Sequence, residues 1–520
     1  MLDLKIVNGC LIDGGGNPRR QADLGIRNGL ISDIGDLGQA DSCRTIDARG
    51  CVVSPGFIDT HTHSDTYLLL EPASPSKIYQ GVTTEICGNC GASAAPVTSF
   101  EHLPSDWADK NYPETWSSFA QFRSLVEKQG VGVNMVMLVG HNTLRRSFVG
   151  YDNRPLAADE LNLMKRHLEQ SLDAGAHGMS TGLVYAPGMF AGQDEIVALA
   201  KVVSRYNGIY TTHMRSESAG LLEAIDEALA IGDAAGVRVQ ISHLKASGRD
   251  NWHKLDEALE KIRQARLHGI CVAADRYPYL ASATDLDVVF PDWASDGGRK
   301  RVLARLNDSQ TCTRLRNELI DSRDPEYWRG VLVGSTLHAD NLRFRGCSLV
   351  DVAQTLELPH AVDALLHLCR NDEMRTGAFF TGMNMENLYK VFAEDYVMVG
   401  SDASLRATTG PLSTDYPHPR AYGTMPRFLR LVLDNELLSL EEAVRRMTSL
   451  PAAQFDLKAR GLLAKGYAAD IAVFAPQNLQ DVATYAEPHA YAVGMRHVLV
   501  NGVAVLDEGQ PTGDLPGMFL

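Results

Sequence analysis

Eight apolar runs of strand length, each ending in polar residues, constrain this chain more than any other feature. They read VVSPGFIDTHTH, GVTTEICGNC, VNMVMLVGH, AHGMSTG, GIYTTHMR, RVQISHLK, ICVAADRYPY and DYVMVGSD. Amphipathic stretches of helical period, such as ADELNLMKRHLEQSLDAG and HKLDEALEKIRQARLHG, lie between several of them. This alternation predicts an α/β fold in which eight parallel strands close into a (β/α)8 TIM-like barrel. Active sites of such barrels lie where the strands end, and here the strands end in His, Cys, Lys, Arg and Asp.

A chain of 520 residues exceeds one ordinary core, so a second domain is expected. Both termini carry short apolar runs broken at Asn-Gly, in IVNGCLIDGG, IRNGLISDIG and HVLVNGVAVLDEG, which is a hairpin signal. The division expected is a small β-sandwich built from residues 1–54 and 456–520, flanking a catalytic barrel over 55–455. A charged segment at about 284–346, rich in Asp and Arg, is too long for a βα loop and is read as an inserted lid subdomain.

The net charge of −15 comes without a basic run, which argues against nucleic acid and anionic membranes as partners and leaves a small molecule. Nine scattered cysteines, an odd number, form no disulfide framework and suit a reducing compartment. No signal-like or membrane-spanning stretch stands out, so a soluble, cytoplasmic protein is expected. Oligomeric state is not legible.

His61 and His63 sit two apart at a strand end, so the pleat sends both to one face. Alone, such a pair is more often one packed and one solvated histidine. His213, His243 and Asp402 end the fifth, sixth and eighth runs, however, so further ligand-type side chains converge on the same rim. Cys87 and Cys90 close the second run, where a thiolate is a strong zinc ligand. Cys90, within GNCG, is the better candidate because its small neighbours permit close approach, whereas Cys87 follows VTTEI and packs in the strand. A redox couple or zinc knuckle remains the alternative for this Cys-x-x-Cys pair.

In combination, GFIDTHTHSD, GVTTEICGNCG, STGLVYAPG, TTHMRSE, ISHLK, YPY, GSD and HPRAYGTMPRFL resemble the N-acyl-D-amino-acid deacylase (D-aminoacylase) family of the amidohydrolase superfamily. The resemblance runs from VNGCLIDG to PGMF. It implies one tight zinc held by Cys90, His213 and His243, with His61 and His63 framing a weaker second site and Asp402 as general base and further ligand. The cysteine would replace the bridging carboxylated lysine of other amidohydrolases. The resemblance also implies that Tyr185, Lys245, Tyr277 and Arg420 contact a substrate with a free α-carboxylate.

The activity so implied is zinc-dependent hydrolysis of N-acyl-D-amino acids to a carboxylate and a free D-amino acid. The sequence departs from the family at Ala283, where a small hydroxyl residue is frequent, and in the long loop from Asp402 to Arg420. Members selective for acidic D-amino acids place an Arg in the stretch that here reads TDLDVVFPDW, which points instead to an apolar side chain. Alternatives are a cyclic-amide hydrolase of hydantoinase or dihydroorotase type, disfavoured because no lysine ends runs two to four, and a D-dipeptide hydrolase. GMSTG fits a serine-hydrolase motif that could recruit Ser180, Asp402 and His418, but LVYAPGMFAG after it reads as loop rather than helix. A non-catalytic scaffold would not need the five metal-ligand candidates and Asp402 together.

Overall fold

The computed structural model describes residues 1–520, the side chain at position 105 excepted. Each of the eight apolar runs forms a barrel strand: Phe57–Asp59, Val82–Cys87, Asn134–Met137 continued by Val139–Gly140, Gly178–Gly182, Ile209–His213, Arg238–Ile241, Val272–Arg276 and Val397–Val399. All neighbouring pairs are parallel. The ring closes where Thr60 Oγ1 donates to Val399 O at 3.0 Å and Thr62 bridges Ala403.

Helices follow the strands because their apolar positions recur on one face. In Leu221–Ala235 the buried residues include Leu221, Ala224, Ile225, Ala228 and Leu229, and the helix stops at Gly236, which takes the left-handed conformation at φ +60°. Helix Phe119–Gln129 begins with a capping box between Ser118 and Gln121. Strand and helix faces share one continuous apolar core.

The two termini meet in paired β-sheets. Val52–Pro55 runs antiparallel to Ile471–Phe474, so an early strand and a late one lie side by side. A four-stranded sheet of N-terminal strands and a seven-stranded sheet enclose a core that includes Leu4, Ile26, Val53, Ile471 and Leu499. Two Asn-Gly pairs make the expected hairpins, Asn28-Gly29 and Asn501-Gly502, with positive φ at both residues of each. The third does not. At Asn8-Gly9 only Asn8 has positive φ, and the chain passes from one sheet to the other instead of folding back.

Between the seventh and eighth barrel strands an antiparallel sheet, Ala281–Asp285, Val331–Val333 and Gly377–Thr381, packs with helices Gly298–Asn307, Ser309–Asp321, Leu349–Thr355 and Ala361–Asn371. These have a core of their own, from Leu286 to Ala378. The charged stretch 284–346 thus lies within a larger packed unit. Among the described residues no helix is long and apolar enough to cross a membrane.

Candidate metal centre

Where the barrel strands end, His61, Cys90, His243 and Asp402 point ligand-type atoms at one buried spot, all within 4.8 Å of one another. His61 Nε2 lies 3.2 Å from Cys90 Sγ, and His243 Nε2 lies 3.6 Å from it on the other side. Asp402 Oδ1 is 3.3 Å from His61 Nε2 and 3.1 Å from His63 Nε2. His213 completes the ring, its imidazole centroid 4.3 Å from that of His243. The six residues expected from the sequence are therefore brought together.

Local backbone makes this possible. Cys90, His243 and Asp402 have φ of +52°, +37° and +51°, a region that non-glycine residues seldom occupy and that is held only when the surroundings over-determine it. At the cysteine the surroundings are explicit. Asp65, from the same GFIDTHTHSD run, accepts from Gly88 N at 3.1 Å and Ala94 N at 3.2 Å, pinning both ends of the loop. Gly91 has φ +75°, and a Cβ there would meet Asn142 Oδ1 at 2.1 Å and Gly182 N at 2.7 Å. Only glycine fits.

The two cysteines live in different electrostatic settings. Burial alone pushes the Cys90 thiol up, but the charge of His61 and the imidazoles of His213, His243 and His61 around the sulfur bring it well below an ordinary cysteine. Burial pushes Cys87 well up, and Asp65 and Glu85 add to the effect. Cys87 Sγ rests 3.2 Å from Thr62 Oγ1 inside the main core. A soft thiolate beside imidazole nitrogens is a donor set suited to zinc, and His213 Nδ1 is a buried nitrogen without a hydrogen-bond partner. The residues fit such an ion.

The expected substrate contacts flank this spot. Arg420 stacks on Tyr277, its guanidinium carbon 4.6 Å from the ring centroid, and reaches within 2.8 Å of Asp402 Oδ2. Against the desolvation that would raise it, Asp402 is held well below the usual carboxylate range by Arg420, His243 and His61. The Tyr277 hydroxyl is buried without a partner, and the Tyr185 ring lies 5.0 Å from His213. Lys245 Nζ contacts Glu217 Oε1 at 2.5 Å. Despite its length, the loop before Arg420 is tied down, with Leu405 N donating to Ser64 Oγ at 2.9 Å and Tyr416 N to Ser335 Oγ at 2.8 Å.

At the departure noted in the sequence, Ala283 offers its carbonyl to Arg420 Nη2 at 3.2 Å. The adjacent Thr284 Oγ1 donates to the Tyr185 hydroxyl at 3.0 Å, so a hydroxyl does reach the site from this strand. Ser180, by contrast, lies within strand Gly178–Gly182 and not at an elbow; it accepts from Gly91 N at 3.0 Å and donates to Gly88 O. His418 is engaged elsewhere, 3.1 Å from Ala281 O and accepting from Arg420 N at 3.0 Å. No serine-hydrolase triad exists among the described residues.

A family model described as the amidohydrolase family matches residues 44–306 and 397–506, which take in all eight barrel strands, parts of the terminal sheets and the first part of the insertion. The chain belongs to the amidohydrolase family. Among amidohydrolases it is 36% identical over 520 residues to the N-acyl-D-glutamate deacylase of Alcaligenes xylosoxydans xylosoxydans, covering all of this chain and 96% of that one. It is 35% identical to the D-aminoacylase of the same organism, covering all of this chain and 97% of the other. The crystal structure of N-acyl-D-glutamate deacylase from Bordetella bronchiseptica, complexed with zinc and a phosphonate inhibitor that mimics the tetrahedral intermediate, aligns with TM-score 0.85 at 34% identity. That alignment covers all of this chain and 99% of the other.

Three carboxylates of this amidohydrolase site were not singled out from the sequence. Asp65 anchors the Cys90 loop; Asp275 Oδ1 lies 3.2 Å from His61 Nδ1 and accepts from His243 N at 2.8 Å; Glu217 sits behind His213 and His243. Asp65 and Asp275 lie within or beside quoted strand-end runs, and Glu217 four residues beyond His213. That placement is the signal that could have found them.

Proposed function

We propose that this amidohydrolase is a zinc-dependent N-acyl-D-amino-acid deacylase, cleaving the amide to give a carboxylate and a free D-amino acid. One observation carries the reading: the buried convergence of Cys90, His61, His243 and Asp402, with a stacked arginine at its edge. Cys90, His213 and His243 would hold the tight ion, and His61, His63 and Asp402 a weaker one. When bound there, zinc polarises the amide carbonyl and makes water more acidic.

The chain's own residues do the rest. Asp402, kept ionised, accepts the proton of the attacking water and returns it to the leaving nitrogen as the C–N bond breaks. Arg420, with Lys245 and the free Tyr277 hydroxyl, receives the α-carboxylate and so fixes which face of the Cα faces the attack. Tyr185 closes the opposite side, oriented by Thr284.

An apolar D-side chain is favoured by what lines the lid. Residues 282–298 contain four Asp and no Lys or Arg, so this stretch supplies no cation for a second carboxylate. Across the sheet, Ala283 pairs with Phe379, which packs on Tyr416 and Tyr485 at 6.3 and 5.7 Å. The nine cysteines are all unpaired, which suits the cytoplasm. Amine release from N-acetyl-D-methionine, measured against ring opening of hydantoin and dihydroorotate, tests the reaction class. Faster turnover of a cyclic amide would overturn it.

A further inference from the structure

Glu217 is absent from the roles assigned so far, yet its carboxylate meets three residues of the site. Oε1 lies 2.7 Å from His243 Nδ1 and 2.5 Å from Lys245 Nζ, and Oε2 lies 3.8 Å from His213 Nε2. The two histidines therefore turn opposite nitrogens toward Cys90 and the buried spot: His243 presents Nε2, 3.6 Å from Cys90 Sγ, while His213 keeps Nδ1 free of any partner.

A neutral imidazole that gives one nitrogen's lone pair to a metal carries its hydrogen on the other nitrogen. For His243 that hydrogen sits on Nδ1. Lys245 Nζ is near it, at 2.9 Å, but an ammonium has no lone pair and cannot accept it. Among the described residues Glu217 Oε1 is the acceptor in place. The same carboxylate faces Nε2 of His213, where the second hydrogen must lie.

We infer that Glu217 is a positioning residue that sets the tautomer and orientation of His243 for the ion, favours by its charge the matching tautomer of His213, and tethers Lys245 beside them. The inference rests on the reading that Cys90, His213 and His243 hold zinc. The backbone supports the placement: Glu217 O accepts from Ser247 N at 2.7 Å, tying the loop after the fifth strand to the loop after the sixth. Arg215, two residues earlier, is fixed by Glu227 at 2.8 Å and Met189 O at 2.8 Å, so the carboxylate cannot drift.

The alternative is that Glu217 only balances the charge of Lys245. Chelator competition for zinc separates the two, using Glu217→Gln, Glu217→Ala, Glu217→Asp, Lys245→Met and Cys90→Ala. Partners behind metal-bound histidines are typically worth about 10- to 100-fold in metal affinity. The inference expects losses of that size in Glu217→Ala, a smaller loss in Glu217→Gln, whose amide oxygen can still accept one hydrogen, and partial recovery in Glu217→Asp. Lys245→Met should bind zinc no more weakly than the parent while its KM rises. Parental zinc affinity in both Glu217→Ala and Glu217→Gln, with Cys90→Ala unable to bind, would overturn the positioning role and leave the metal site standing. Parental affinity in Cys90→Ala would instead overturn the metal site beneath it.

Discussion

Arg420 places Nη1 2.8 Å from Asp402 Oδ2 while its guanidinium lies over Tyr277, so the group that would receive the substrate carboxylate touches the group that would move the proton. Binding and proton transfer thereby share one side chain. Arg420→Met removes a charged contact to substrate and the partner that keeps Asp402 ionised. A charged hydrogen bond contributes about 1.5–3 kcal/mol, so kcat/KM should fall roughly 10- to 150-fold. Because both functions suffer, kcat falls as KM rises. Arg420→Lys keeps the charge but not the planar stack and should recover only part. Steady-state kinetics of the two variants read this out, and a change confined to KM would sever the link to Asp402.

The two cysteines should separate cleanly. Cys90→Ala removes the thiolate at the centre of the cluster, so tight zinc is lost. Cys87→Ala alters only core packing and should retain zinc at the parental stoichiometry. Metal analysis after dialysis measures both.

Lys77, on the short helix Pro75–Ile78, is fully buried with Asp59 at 2.9 Å and Glu85 at 3.2 Å. It also donates to Ser401 Oγ at 3.2 Å and Ala403 O at 3.3 Å, joining the first, second and eighth strand ends. Lys77→Met strands two buried carboxylates, a change that costs about 3–5 kcal/mol. A denaturation midpoint lowered accordingly is the expected outcome. Asp402 should move with its strand end, so zinc-loaded activity falls too.

Preference among D-side chains follows from the lid. With no cation in 282–298 and Phe379 beside Ala283, N-acetyl-D-leucine should be used at higher kcat/KM than N-acetyl-D-glutamate or N-acetyl-D-aspartate. Competition between substrates in one reaction gives the ratio directly, and a preference for glutamate would place an unrecognised cation in the pocket.

Much of this was legible because strand-end chemistry survives in sequence. Every barrel strand announces itself as an apolar run, and ligand-type residues follow several of them closely, so His61, His213, His243 and Asp402 could be placed on one rim from spacing alone. Cys90 stood out through its glycine neighbours, whose need appears only when Gly91 is seen pressed against Asn142 and Gly182. What sequence conceals is partnership across the chain. Glu217 meets Lys245 from 28 residues away, and Asp275, on the seventh strand, meets His61 at the end of the first. Carboxylates are too common for either to be singled out beforehand. At Asn8-Gly9 a hairpin dipeptide makes a sheet-to-sheet crossing, because hydrogen bonding of Cys10–Leu11 to Val52–Val53 outcompetes folding back on Leu2–Val7. The apolar helices Leu349–Thr355 and Ala361–Asn371 have barrel-like patterning but pack on the insertion's own core, which is why composition alone traces only its charged part.

The central claim is tested most directly by amine release from N-acetyl-D-leucine and N-acetyl-L-leucine, with the protein zinc-loaded, stripped by chelator and then reloaded. The account predicts turnover of the D-form alone, lost on stripping and restored by zinc. Equal turnover of both enantiomers, or D-turnover that survives removal of the metal, would contradict it.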